Sequence, residues 1–214
     1  MRKKLFIFLI AALCCNRLIA QEVDDDPIPP DRDYRMFIGP KLGAGVALGS
    51  HSDVQNLDFG AAFSYQVGAV YNAHFGRRFE LSNGGTGWFG FQIEALYGKN
   101  NLKLGTEGFG FSCIEIPVLA QLYVTPTFAI EAGATAVKVL GGTPSQITFD
   151  GATYGVGELR GSDVRITAGL CYKNPMGFMI DARYNMGMSP IAGNFDTKVS
   201  SFMLSFAYLF NIVK

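Results

Sequence analysis

The chain has 214 residues, and its 18 basic and 18 acidic side chains give a formal net charge of zero at pH 7. Lysine and arginine are not clustered along the sequence, which argues against nucleic-acid binding because that function needs a basic patch. Aromatic residues make up 13% of the chain and glycine occurs 26 times, as is typical of tightly curved strands with aromatic girdles. We expect one domain, no cofactor and no metal, because the sequence has neither a phosphate-binding loop nor metal-ligand spacing.

The first twenty residues have the pattern of an export signal. Three basic residues precede an apolar run that ends at Cys15, and Ala20 closes a plausible cleavage site. The run is shorter than the roughly 20 residues that a spanning helix needs. We therefore predict that residues 1–20 are a signal peptide that is removed. A short membrane anchor is one alternative, and lipidation at Cys14 or Cys15 is another, although Leu13 is a poor residue before a lipidated cysteine.

Residues 21–34 form an acidic segment. Five aspartates and three prolines occur between Gln21 and Asp33, so the segment cannot bury a core. We predict a disordered arm in the periplasm that acts as a solvated spacer. An acidic docking peptide is the functional alternative.

The rest of the chain, residues 35–214, is predicted to form eight strands that alternate with period two. The predicted ranges are 35–48, 58–73, 87–98, 109–123, 127–139, 164–172, 177–188 and 199–210. One face of each strand is large and apolar, whereas the other carries small and polar residues with few charges. This pattern predicts an all-β fold, an eight-stranded antiparallel transmembrane β-barrel, because an open sheet edge in lipid would leave backbone groups without partners.

The connections give the expected orientation. With both termini in the periplasm, the connections near residues 49–57, 99–108, 140–163 and 189–198 lie outside, and residues 124–127 and 173–176 are tight periplasmic turns. The connection that begins at His74 is longer than this rule predicts. Pro40 is expected only near a strand end or a bulge, because proline cannot donate to a sheet.

Alternation also assigns the two faces. The outward aromatic residues should form two girdles at the membrane interfaces; they are Phe63, Tyr71, Phe89, Tyr97, Phe128, Tyr172, Phe178, Phe202, Tyr208 and Phe210. The inward polar residues should form a network in the lumen; they are Lys41, Gln66, Gln92, Glu94, Glu115, Gln121, Glu131, Arg165, Asp181, Arg183 and Asn185. In a bore of eight strands such side chains fill the space. A proton or ion path is the alternative.

Catalysis has little support in the sequence. The two histidines, His51 and His74, are predicted in connections at opposite ends of the barrel, and neither is placed beside a nucleophile as triad chemistry requires. Cys113 and Cys171 share the inward parity, where they are either two sequestered thiols or a disulfide across the lumen. The long outer connection offers Phe149 and Tyr154 as candidate contacts for a partner.

Three strands carry motifs of a known family. Glu94 and Tyr97 lie on one strand, Glu115-Ile-Pro-Val118 on the next, and a strand ending in Gly133 follows. In these places the chain resembles the PorT-like outer-membrane β-barrel family. The resemblance implies the barrel fold and, for some members, a part in protein secretion across the outer membrane.

We therefore predict a non-enzymatic barrel in the outer membrane of a Gram-negative cell envelope. Its role is structural or accessory, with the outer loops or the periplasmic arm as contact surfaces. The expected partners are outer-membrane lipid and a protein of a secretion or envelope complex. The alternatives are a PorT-like secretion accessory and a lipid-modifying enzyme.

Overall fold

The computed structural model describes residues 34–49, 59–75, 88–104, 107–143, 146–149, 152–155, 161–189 and 198–212. These ranges contain eleven strands and no helix, and thus no helix that is long and apolar enough to cross a membrane. The strands are β1 Tyr34–Gly49, β2 Phe59–Phe75, β3 Phe89–Leu104, β4 Glu107–Tyr123, β5 Phe128–Thr143, β6 Gln146–Phe149, β7 Ala152–Gly155, β8 Ser162–Lys173, β9 Phe178–Gly187, β10 Val199–Tyr208 and β11 Phe210–Asn211.

Eight of these strands form one closed antiparallel barrel. Neighbours follow the order β1-β2-β3-β4-β5-β8-β9-β10, and β10 pairs back with β1, where Lys41 lies opposite Ala207. Strand β11 continues β10 beyond Leu209 and pairs with the start of β1. The predicted fold class, an eight-stranded antiparallel barrel, is confirmed.

Side chains alternate between a buried interior and an apolar exterior along the eight barrel strands. On β9, for example, Met179, Asp181 and Arg183 are buried while Ile180 and Tyr184 are exposed. The interior is too narrow for water to reach these side chains, as expected when eight strands close a bore.

The two ends of the barrel differ. We call the end that holds Tyr34 and Ile212 the terminal end, and the opposite one the distal end. At the terminal end two predicted turns are confirmed, because Val124 N donates to Phe128 O at 3.0 Å and Asn174 N donates to Phe178 O at 2.7 Å. In the second turn Gly177 has a φ of 91°, a conformation that favours glycine.

The distal hairpin is longer than the sequence predicts. Strand β3 continues to Leu104 and β4 begins at Glu107, so the predicted outer connection at 99–108 is wrong for residues 99–104 and 107–108, and residues 105–106 lie outside the described part of the chain. Polar residues such as Asn101 indicated a loop, but the ladder persists to Leu104 opposite Glu107. The predicted connection at 140–163 is likewise interrupted, because β5 reaches Thr143 and a separate hairpin, β6–β7, follows it.

Two irregularities lie at the distal end. Strand β2 bulges between Ala61 and Tyr65, and the side chain of Asn101 on β3 donates to Phe63 O at 2.5 Å within that bulge. A second register shift separates Ser112 from Cys113 on β4. Bulges of this kind are typical of barrel rims, where they increase the local twist.

Pro40 does not lie near a strand end. It lies seven residues into β1. The strand that is interrupted is the neighbour of β1, at the break between β10 and β11. At that break Leu209 N donates to Gly177 O at 2.7 Å. A missing proline N–H is tolerated there because the facing segment has left the ladder. Gly39 belongs to the same junction, since a Cβ at this position would collide with the backbone carbonyl of Tyr208.

Candidate functional site in the barrel lumen

The structure places all eleven polar residues proposed for the lumen inside the barrel. Each is at least nine-tenths buried; they are Lys41, Gln66, Gln92, Glu94, Glu115, Gln121, Glu131, Arg165, Asp181, Arg183 and Asn185. They come from seven of the eight barrel strands, because the inward position recurs every second residue and the small bore brings opposite strands together.

A central network connects four strands by ion pairs. Lys41 Nζ lies 2.8 Å from Glu94 Oε1 and 2.6 Å from Asp181 Oδ2. Arg183 NH1 lies 2.8 Å from the same Glu94 oxygen, and its Nε and NH2 donate to the carboxylate of Glu131. Charges so deeply buried require partners, and here each cation contacts at least two carboxylates.

Amides extend this network toward the terminal end. Gln92 Nε2 donates to Glu94 Oε1 at 2.5 Å, and Gln121 Nε2 donates to Glu131 Oε2 at 3.0 Å and to Gln92 Oε1 at 3.0 Å. Asn72 Nδ2 donates to both glutamine carbonyls. Glu94 Oε2, in contrast, is buried without a hydrogen-bond donor among the described residues.

A second cluster lies toward the distal end. Arg165 NH1 lies 3.0 Å from Glu115 Oε1, and Arg165 Nε lies 3.1 Å from Asp163 Oδ2. The other oxygen of Asp163 accepts a hydrogen bond from Ser189 N at 3.0 Å. Asp163 was not predicted to face the lumen, although its odd number gives it the parity of Arg165. The predicted strand began one residue too late to include it.

A third cluster lies at the terminal end and corrects the prediction for His74. This residue is not in a solvated connection: it is buried on β2, with Nε2 2.7 Å from Tyr123 Oη and 3.2 Å from Lys173 Nζ. The Lys173 ammonium also lies 3.2 Å from the ring centroid of Phe37, a cation–π contact. Parity would have identified His74, because it is two residues beyond the inward Asn72.

These clusters change the predicted charge balance. Four carboxylates and three cations were predicted inside the barrel. The described residues place five carboxylates and four cations in the lumen. The carboxylates are Glu94, Glu115, Glu131, Asp163 and Asp181, and the cations are Lys41, Arg165, Lys173 and Arg183. Within the described ranges no group of three His, Cys, Asp or Glu side chains is arranged to hold a metal ion.

Cys113 and Cys171 are buried free thiols. They lie opposite Val139 and Ala129 of the same strand, β5, so ten residues, or about 33 Å, separate them along the barrel wall. A disulfide needs Cα atoms within about 7 Å. The geometry therefore excludes the bond that was considered as an alternative.

The proposed girdle residues all lie on the exterior. Phe63, Tyr97 and Phe202 are exposed toward the distal end, and the remaining seven lie toward the terminal end. Ring contacts connect several of the latter, with Tyr208 5.0 Å from Phe178 and 4.9 Å from Phe210 between ring centroids. Phe149 and Tyr154 lie on β6 and β7, but their side chains are outside the described part of the chain, as is His51.

An apolar exterior, a closed antiparallel ladder and a polar lumen define the class of transmembrane β-barrels. The chain belongs to the family described as the outer membrane protein beta-barrel domain, whose sequence model matches residues 20–193. It is therefore a protein of the outer membrane, as predicted.

Solved structures of small barrels are similar to this chain. One is Ail, the attachment invasion locus protein of Yersinia pestis, in complex with the heparin analogue sucrose octasulfate: it is 15% identical, the match covers 82% of this chain and 99% of Ail, and the TM-score is 0.47. Another is neisserial surface protein A, at 12% identity, 81% and 97% coverage and a TM-score of 0.49. No curated protein sequence matches the chain.

Proposed function

We propose that this protein is a non-enzymatic and non-conducting outer-membrane barrel, whose rigid body presents contact surfaces at its two ends. The observation that carries the proposal is the central ion-pair network. Its side chains at Lys41, Glu94 and Asp181 have no solvent exposure. A conducting pore requires a continuous column of water, and this crossing of the bore by paired charges interrupts it.

Bilayer recordings test the non-conducting state. The mature chain, reconstituted in planar lipid bilayers, is expected to show no unitary current. A Lys41→Gly/Arg183→Gly double variant removes the two cations of the network and is expected to conduct if it folds, which heat-dependent gel mobility reports. Stepwise current through the parent protein would disprove the proposal, whatever the variant does.

The lipid-modifying enzyme is the alternative from another class. Enzymes of this kind need a nucleophile and a base in reach at the lipid surface. Of the two histidines, His74 lies within the described residues, and it is enclosed in the lumen by Tyr123 and Lys173, where lipid does not reach it. We therefore expect cells with and without the gene to have identical lipid A by mass spectrometry. A mass shift that depends on the protein would favour the enzyme.

The orientation is part of the proposal: the terminal end faces the periplasm and the distal end faces outward. Thr143 and Met176 are exposed at opposite ends, and the native thiols are buried. A membrane-impermeant maleimide added to intact cells should therefore label Thr143→Cys and spare Met176→Cys. Labelling in the reverse order would invert the orientation.

The partner surface is tested by two deletions. Removal of residues 145–158 takes away the β6–β7 hairpin with Phe149 and Tyr154, and removal of residues 21–33 takes away the acidic arm. If a partner binds outside, only the first deletion abolishes its co-purification from native outer membranes. If the arm deletion alone abolishes co-purification of the partner, the PorT-like secretion role is favoured. That role rests on the motifs around Glu94 and Glu115-Ile-Pro-Val118.

A further inference from the structure

The cations on the barrel exterior are distributed unevenly. Among the described residues, the lysines on the outward face are Lys99, Lys103, Lys138 and Lys198, and all four lie at the distal end. The described outward positions of the terminal end carry aromatic and aliphatic residues instead. The described carboxylates whose side chains are placed all lie in the lumen. Among the placed side chains on the exterior of the distal end, the charged ones are thus all lysines.

Three of these lysines occupy one sector, β3 to β5, just beyond the apolar belt. Tyr97, Ile114 and Lys138 are level with one another across the three strands. Lys99 is the next outward residue after Tyr97 on β3, and only β4 separates it from β5. Two strand spacings place the backbones of Lys99 and Lys138 about 10 Å apart laterally. None of the three lysines forms an ion pair with a described residue.

The polar residues between these lysines mark the edge of the hydrocarbon region. Tyr97 Oη donates to Ser112 Oγ at 2.9 Å, and Lys138 Nζ donates to Ser162 Oγ at 3.4 Å. Toward the terminal end from this row the exterior is apolar, with Ile116 exposed on β4. The ammonium groups therefore lie at headgroup depth rather than in the acyl chains.

Above the row, the sector has an open surface cleft rather than a packed wall. The cleft is lined by Lys99, Asn101, Lys103, Gly108, Gly110 and Thr143, among others. A Cβ at Gly108 would meet no atom within 4 Å, whereas a Cβ at Gly110 would collide with Asn101 Oδ1 and lie 3.3 Å from the Cε of Lys99. The open space therefore lies beside Gly108, which is opposite Lys103 in the β3–β4 ladder, and it has room for a ligand group with several acceptor oxygens.

We propose that this lysine sector, Lys99, Lys103 and Lys138, binds the phosphate groups of outer-leaflet lipid A. The site combines ammonium donors, amide and hydroxyl donors, and a position at the membrane boundary, which together fit a phosphorylated lipid headgroup. The inference rests on the proposed function, in which the distal end faces outward. It adds to that function the class of lipid that the barrel exterior binds.

Native mass spectrometry of the mature protein in mild detergent tests the site. The probes are lipid A with two phosphates and the same lipid after dephosphorylation. A lysine near an anionic lipid surface contributes about fivefold in affinity. We therefore expect the parent to prefer the phosphorylated lipid by at least about tenfold, and the Lys99→Gln/Lys103→Gln/Lys138→Gln variant to lose that preference.

Two controls separate the site from general charge. The Lys198→Gln variant removes a distal lysine outside the sector and should keep the preference. Replacement of the three sector lysines by arginine should also keep it, because arginine binds phosphate as well. Equal binding of both lipids by the parent, or an unchanged preference in the triple glutamine variant, would overturn the proposal. A reversed labelling order at Thr143 and Met176 would instead refute the orientation.

Discussion

The Lys41 ammonium lies 2.6 Å from Asp181 Oδ2, although the strands that carry these residues do not pair with each other. The same ammonium lies 2.8 Å from Glu94 Oε1 on β3, another strand that is not hydrogen-bonded to β1. Lys41 therefore connects three strands across the bore. Backbone ladders close the wall of the barrel, whereas this contact fixes the distance between opposite walls.

Replacing Lys41 by methionine is expected to destabilise the barrel. The change would leave Glu94 and Asp181 buried with one fewer cation, and breaking a buried pair costs about 3–5 kcal/mol. The measurement is the free energy of unfolding by urea in detergent micelles, followed by heat-dependent gel mobility. Lys103→Met, at an exposed distal position, is the control and should change that free energy by less than about 0.5 kcal/mol. If the two variants unfold alike, the network does not stabilise the fold.

The same substitution at Lys173 should have the opposite outcome. Its ammonium lies 3.2 Å from His74 Nε2, 3.4 Å from Asn72 Oδ1 and 3.2 Å from the ring centroid of Phe37, and it forms no ion pair with a described carboxylate. Methionine has a similar shape and removes a buried charge, a replacement that is often neutral or stabilising. We expect Lys173→Met to unfold at the same or a higher urea concentration than the parent. A loss as large as that of Lys41→Met would show that the cation itself is needed there.

The barrel and its faces could be predicted because lipid imposes a strict alternation on each strand. Wherever the exterior contacts the acyl chains, a residue such as Ile180 or Leu204 must be apolar, and its neighbours point inward by geometry alone. The inward parity of Glu94, Arg183 and the other lumen residues follows directly. Which acid contacts which base could not be predicted, because it depends on the stagger of strands around the barrel, and sequence parity carries no such information.

The strand ends could not be predicted for a related reason. Beyond the membrane boundary the outward residues are polar too, as at Lys99, Asn101 and Lys103. The two faces of the strand no longer differ in polarity there, so these residues were assigned to a loop. His74 and Lys173 were missed at the other end because their strands were predicted to finish one residue before them. In both places the ladder of hydrogen bonds continues after the hydrophobic pattern has ended.

Depth in the membrane should decide the cost of a charge on the exterior. Ala132 is exposed near the middle of β5, whereas Thr143 is exposed at the distal end of the same strand, beyond the apolar belt. We expect Ala132→Arg to lower the free energy of unfolding in lipid vesicles by about 2–4 kcal/mol and Thr143→Arg by about 0–1 kcal/mol. Equal losses would mean that the belt does not end at Tyr97.

The two native thiols report the closed state of the lumen. Cys113 and Cys171 are both buried in the interior, and about 33 Å of strand separates them. We expect neither to react with maleimide in the folded protein, and both to react after unfolding without any reductant. Intact mass spectrometry counts the added groups, and Ser112→Cys, on the outward face beside Cys113, is a positive control for labelling in the folded state. Two thiols that stay unlabelled after unfolding would reveal a disulfide and a different strand register, and labelling of the folded parent would show that water enters the bore.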